Sequence, residues 1–135
     1  MIVSEVMHEG IIRAQVSDSI RQIAKLMKEN DIGSMPVFEQ DSPVGFVTDR
    51  DIVLSLADED TELDDNISIA MSPELIAVDS TKDITEAARI MEERQISRLL
   101  VTSEGNPVGI VTLQDLSINV ENSHLKAEII EEIKQ

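Results

Sequence analysis

Pro43-Val44-Gly45-Phe46-Val47-Thr48-Asp49-Arg50-Asp51 recurs 64 positions later as Pro107-Val108-Gly109-Ile110-Val111-Thr112-Leu113-Gln114-Asp115. The same offset carries Met7 onto Met71 without a gap, and roughly 15 of about 52 aligned positions are identical. The chain therefore holds two copies of one small unit. They are expected to pack with pseudo-twofold symmetry and paired clefts, so function is sought where the copies meet. In 135 residues, two repeats of about 60 are each marginal as independent domains and are expected to bury a shared core.

Working outward from the quoted stretch, Val44 to Val47 reads as a strand and Asp49 to about Leu56 as a helix. Upstream, Val3 to Met7 reads as a short helical turn and Ile12 to Val16 as a strand. Asp18 and Ser19 precede Ile20, Ile23, Ala24 and Met27, whose spacing is that of an amphipathic helix. Met35 to Phe38 is a further strand, and Gln40-Asp41-Ser42-Pro43 a turn. The order is β-α-β-β-α. Repeat two follows it: a strand at Ile76 to Val78, a helix with Ile84, Ala87, Ala88 and Met91 on its apolar face, then strands at Leu99 to Val101 and Val108 to Val111. The turn Glu104-Gly105-Asn106-Pro107 lies between those strands, and a last helix runs from about Leu113 to Val120. The expected organisation is repeat one at 1–57, an acidic linker at 58–65, repeat two at 66–122 and a C-terminal helical tail at 123–135. Leu125, Ile129, Ile130 and Ile133 give that tail an apolar stripe suited to docking.

Composition narrows the function classes. With 27 acidic against 11 basic residues the net charge is −16, a field that repels nucleic acid and anionic lipid. There is no Trp or Tyr and only 2 Phe, so platforms for stacking bases are missing as well. Neither nucleic acid nor membrane is an expected partner. No stretch is long and apolar enough for a membrane span, the N-terminus lacks a signal-peptide pattern, and the cytoplasm is the expected compartment. The absence of Cys excludes disulfides, thiolate metal sites and cysteine nucleophiles together. The acidic run from Asp58 to Asp65 resembles a calcium loop only briefly. The required glycine is Leu63 and the required glutamate is Ile69, so it reads as a solvated linker.

Both copies of the quoted stretch place Gly, two apolar residues, Thr, two variable residues and then Asp. This describes a strand ending in a hydroxyl that starts a helix, with a carboxylate three residues on. Helix N-termini present unpaired N–H groups and partial positive charge, which suit a phosphate. The hydroxyl of Thr48 or Thr112 can donate to a phosphate or ribose oxygen, and Asp51 or Asp115 can accept from ribose hydroxyls. Gly45 and Gly109 would let a ligand or a neighbouring backbone approach closely. The competing reading is purely structural: Thr-x-x-Asp also fits a reciprocal capping box, and duplication copies caps as readily as sites.

The duplicated unit resembles a tandem pair of CBS domains, a Bateman module. The resemblance rests on Gly45 to Asp51 and Gly109 to Asp115, on Val6-Met7 and Ala70-Met71 at the repeat starts, and on Ile32-Gly33-Ser34-Met35-Pro36-Val37 with Ile96-Ser97-Arg98-Leu99-Leu100-Val101. It covers about residues 1 to 120 and implies an α/β fold with a regulatory rather than catalytic role. Family members bind adenosine compounds (AMP, ADP, ATP or S-adenosylmethionine) in two clefts between the repeats. Carried over, Thr48 and Thr112 would meet phosphate or ribose, and Asp51 and Asp115 would hold ribose hydroxyls. Ile12, Ala14, Ile76 and Val78 would line the base, while Ser97, Arg98 and Arg50 would reach phosphate. Arg50 and Arg98 fit surface ion pairs equally well. Because Gly33-Ser34 stands where repeat two has Ser97-Arg98, and Asp49-Arg50 where it has Leu113-Gln114, one good site and one weaker or empty site are expected.

His8 and His124 are the only histidines. Neither has metal-ligand spacing, and no metal site is expected. His8 precedes the first strand near the expected cleft, so a ligand contact is open to it. No nucleophile elbow, Gly-x-Gly-x-x-Gly or P-loop is present, and no acid–base pair stands out, so no enzymatic activity or catalytic cofactor is expected. The leading expectation is a nucleotide-sensing homodimer that passes its state to a separate effector protein. The alternative is a structural or dimerisation module without a physiological ligand.

Overall fold

The computed structural model describes residues 1–119. The helical tail expected at 123–135 lies outside the described residues, as does Val120. Two three-stranded sheets carry the fold, and each repeat shows the β-α-β-β-α order.

In repeat one, β1 (Ala14–Gln15) pairs in parallel with β2 (Ser34–Glu39), which pairs antiparallel with β3 (Ser42–Thr48). A parallel pair needs a crossover, and α1 (Ile20–Asn30) supplies it. Ser19 starts α1 with a capping box: its hydroxyl accepts from Gln22 N at 3.1 Å while its own N–H donates to Gln22 Oε1 at 2.7 Å. The helix stops at Asp31, which adopts the left-handed conformation (φ 52°). α2 (Asp49–Ser55) follows β3 directly.

Repeat two repeats this plan with β4 (Ala77–Asp79), α3 (Ile84–Arg94), β5 (Arg98–Ser103), β6 (Asn106–Thr112) and α4 (Leu113–Asn119). Asp83 caps α3 by accepting from Thr85 N at 2.9 Å, and Gln95 (φ 54°) ends it at the position equivalent to Asp31. The strand expected over Ile12 to Val16 contracts to Ala14–Gln15, the two residues that pair in register with β2, while Val16 still donates its N–H to Phe38 O at 2.9 Å. Each hairpin bends at the same place. Val37 pairs with Gly45 and Phe38 with Pro43, leaving Val44 as the extra residue of a bulge, and Val108 has the same place in repeat two. The bulge accommodates Pro43 and Pro107, which have no N–H to give to the ladder.

The compact units are not the repeats read in chain order. Among the described residues, one unit comprises Met1–Ile11 with residues from Ala77 on, and the other comprises Ile12–Ile76. The opening segment of each repeat has crossed to the other copy, and the hydrogen bonds of the two exchanges match at the 64-residue offset. Ile67 N donates to Asp18 O at 2.7 Å, and Val3 N donates to Lys82 O at 2.8 Å. Asp65 O accepts from Ile20 N at 2.9 Å, as Met1 O does from Ile84 N at 3.0 Å. Linker carbonyls thus satisfy N–H groups at the start of α1 that a helix leaves unpaired, with Leu63 O taking Arg21 N at 2.9 Å. Ile67 is fully buried in the core of the Ile12–Ile76 unit, among Ile20, Ile23, Met35, Val37 and Val47. Val3, its counterpart, is fully buried in the other unit. Met27 and Met91 are core residues, as their helix spacing implies.

Candidate functional site

The Thr-x-x-Asp motif sits at the junction of strand and helix in each unit, and in both it forms a capping box. Thr48 Oγ1 accepts from Asp51 N at 3.0 Å and Asp51 Oδ2 accepts from Thr48 N at 2.9 Å. Thr112 and Asp115 repeat this at 3.1 and 2.9 Å. Capping occupies one carboxylate oxygen and the hydroxyl's acceptor role. It leaves the Thr O–H available to donate and, in the first motif, the second carboxylate oxygen available to accept. The structural and ligand-binding readings are therefore compatible at the level of lone pairs.

Gly45 and Gly109 have a definite neighbour, and it is protein backbone. A Cβ on Gly45 would lie 2.3 Å from Ser72 O and 2.3 Å from Met71 Cε. On Gly109 it would lie 2.5 Å from His8 O and 3.0 Å from Met7 Sδ. Phe46 exchanges two backbone hydrogen bonds with Ser72, and Ile110 exchanges two with His8. The glycine of each motif thus admits the exchanged opening segment, at Met71-Ser72 or Met7-His8.

Around the first motif, Arg50 is exposed on the opening turn of α2, and no ion pair holds it among the described residues. Opposite Thr48 in the β2–β3 register stands Ser34, 3 % exposed, whose hydroxyl has no hydrogen-bond partner. Asp51 Oδ1 likewise has no hydrogen-bond partner among the described residues. Ile12 is exposed, and Ala14 is fully buried within the helix-covered core. Ile76 is the last residue of this unit, whereas Val78 belongs to the other unit and is buried there.

Around the second motif, Arg98 occupies the place equivalent to Ser34, opposite Thr112. Burial pushes its guanidinium pKa down, and the charge of Asp115 opposes that shift. The net positive charge survives, since even a lowered Arg stays protonated at neutral pH. Ser97 is exposed, and its carbonyl accepts from Leu113 N at 2.8 Å. His8, read from sequence only as a residue near the cleft, places Nε2 2.8 Å from Asp115 Oδ1.

A sequence profile described as the CBS domain matches residues 3–58 and 65–121. The chain belongs to the CBS-domain family. It is 33% identical over 117 residues to the "CBS domain-containing protein YhcV" of Bacillus subtilis, covering 87% of this chain and 84% of that one. Among solved structures it resembles Hypoxic Response Protein I with two coordinated zinc ions, at 29% identity and TM-score 0.78, over 89% of this chain and 99% of that chain. It also resembles the CBS domain pair of protein MJ0100 in complex with 5′-methylthioadenosine and S-adenosyl-L-methionine. That match has 27% identity and TM-score 0.74 over 87% of this chain and 98% of that chain. Among the described residues of this CBS pair, no group of three or more His, Asp or Glu side chains is placed to hold a metal. No described helix is long and apolar enough to cross a membrane.

Two features of the sites are not legible in the sequence. Ser34 belongs to a segment that carries the resemblance and differs between the repeats, but nothing in the sequence marks a serine as buried without a partner. The partnership of His8 with Asp115 spans more than a hundred positions and depends on the exchange of opening segments.

Proposed function

We propose that this CBS pair is a regulatory ligand-binding module that takes an adenosine compound (AMP, ADP, ATP or S-adenosylmethionine) at its Thr-x-x-Asp motifs and passes the bound state to a separate protein. The observation that carries this reading is a pair of polar atoms in the first motif that the protein leaves without partners. The Ser34 hydroxyl is buried without a partner, and Asp51 Oδ1 is without one beside Thr48. A buried hydroxyl such as that of Ser34 is nearly always satisfied, by solvent or by a ligand where protein supplies nothing, and the half-buried Asp51 keeps an acceptor oxygen open to a ligand. A ribose offers hydroxyl donors for Asp51 and oxygens for the Ser34 and Thr48 hydroxyls, and the exposed Arg50 supplies charge for a phosphate. The complex of the MJ0100 pair with 5′-methylthioadenosine and S-adenosyl-L-methionine supports an adenosine compound as the ligand class. Signalling would proceed by population shift, the ligand favouring whichever arrangement it binds better.

The absence of Trp and Tyr makes the test direct, because the protein is nearly transparent near 260 nm. Denaturing the purified protein and weighing any released small molecule is expected to give an adenosine compound. For apo protein, ligand at about 100 times its Kd is expected to add about 2.7 kcal/mol of stability, and Asp51→Asn is expected to reduce the gain. No released compound and no shift with any of the four ligands would overturn the reading.

A second reading has its own observation. The last helix of each repeat exposes a large aliphatic side chain at the equivalent position, Leu54 at 56% and Ile118 at 71%. Val53 adds 66% exposure to the first of these. These faces suit a homodimer whether or not a ligand binds, and in a purely structural module the Thr-x-x-Asp boxes would be caps alone. Sedimentation at tens of micromolar tests this: a monomer mass rejects the dimer.

A further inference from the structure

Beside each motif stands a residue that neither motif contains, and the two copies differ there. In the unit holding repeat two, His8 is pinned by its own backbone, its N–H donating to Ile110 O at 2.8 Å and its carbonyl accepting from Ile110 N at 2.8 Å. The ring then reaches Asp115, with Nε2 2.8 Å from Oδ1. Since a carboxylate only accepts, Nε2 carries the hydrogen. Thr112 N takes the other oxygen, Oδ2, at 2.9 Å, and the Arg98 charge acts on the same carboxylate. In the unit holding repeat one, Ser72 occupies the equivalent place, pinned in the same way to Phe46. Its short side chain turns to its own segment, Oγ accepting from Glu74 N at 3.2 Å, and Asp51 Oδ1 is left without a hydrogen-bond partner.

We propose that His8 is a latch that makes the repeat-two motif the weaker ligand site, by holding the Asp115 oxygen that a ligand hydroxyl would otherwise use, while Ser72 leaves Asp51 open. This rests on the adenosine-ligand reading above. The latch is a displaceable one. The His8 side chain is 65% exposed against 14% for Asp115, so the ring can leave for solvent, and the pair opposes binding by a modest factor. His8 acts through Asp115 and is a positioning residue for the site. Selection between the two motifs is thus set by one residue in each exchanged opening segment.

The experiment exchanges those residues and reads each motif alone. Asp51→Asn silences the first motif. In that background His8→Ser is expected to tighten AMP or S-adenosyl-L-methionine binding, measured by equilibrium dialysis, by about three- to tenfold. Asp115→Asn silences the second motif, and in that background Ser72→His is expected to weaken binding by a similar factor. His8→Ser in the Asp115→Asn background is expected to change nothing, which separates a latch on Asp115 from a general loosening of the fold. Binding by the wild type with unchanged affinities in both exchanges would overturn the latch and leave the ligand reading standing. Absence of binding in the wild type and in every variant would overturn the ligand reading, and the latch with it. Should one background fail to fold, the other arm decides alone.

Discussion

The glycine of each motif is the residue whose replacement tells most. At Gly45 the obstruction to a side chain is the Ser72 carbonyl, 2.3 Å from where a Cβ would stand, and that carbonyl is fixed by its bond from Phe46 N. Gly45→Ala must therefore move backbone, and a cost of about 1–3 kcal/mol is expected from urea unfolding. Gly109→Ala is expected to behave alike, with His8 O at 2.5 Å. An unchanged midpoint for both would mean that the opening segments do not seat there. The threonines make a second prediction. Thr48→Ala and Thr112→Ala each remove a helix cap and are expected to cost about 0.5–2 kcal/mol with no ligand present. The sequence offered the glycine two neighbours, a ligand or a backbone. Only the fold chose, because the neighbour comes from the other repeat.

Helix starts were readable residue by residue, since a cap and its partners lie within one turn. Ser19 and Asp83 stand at equivalent positions and open α1 and α3 with different chemistry, a hydroxyl in one and a carboxylate in the other. The carboxylate makes the second cap sensitive to acid. The Asp83 pKa is lowered below the ordinary 3.8, first by the Thr85 N–H and next by the Thr85 hydroxyl, both donating to it. A folded-state pKa below the unfolded one stabilises the fold above the unfolded value and loses that contribution as pH falls through the folded value. Asn caps comparably without titrating. Asp83→Asn is therefore expected to match the wild type near neutral pH and to lose thermal stability less steeply between about pH 5 and pH 2. Parallel pH profiles for the two proteins would count against the cap. The first strand is shorter than its apolar pattern for the opposite reason: strand length is decided by partners, and the apolar Ile12 has none on β2.

At the scale of the whole molecule, the exchange of opening segments governs which half a mutation will harm. Val3 lies early in repeat one but is fully buried with repeat two, and Ile67 lies early in repeat two but is fully buried with repeat one. Val3→Ala is expected to lower amide-exchange protection in α3 more than in α1, and Ile67→Ala to do the reverse. Large-to-small changes at such sites cost about 1–5 kcal/mol, enough for the asymmetry to register. If each substitution weakened its own repeat instead, the assignment of the opening segments would be wrong.

The sequence alone determined the duplication, the β-α-β-β-α order and the family resemblance, because periodicity, turn residues and a recurring motif are local or are detected by comparing the chain with itself. It also located the Thr-x-x-Asp pairs, whose capping geometry needs only neighbouring residues. The tertiary structure decided what surrounds them: the carbonyls packed on Gly45 and Gly109, the buried Ser34 hydroxyl, and the His8 ring on Asp115. Two copies of one pattern offer every opening segment two equivalent places to pack. Only the folded chain selects between them, and there each opening segment seats in the unit of the other copy.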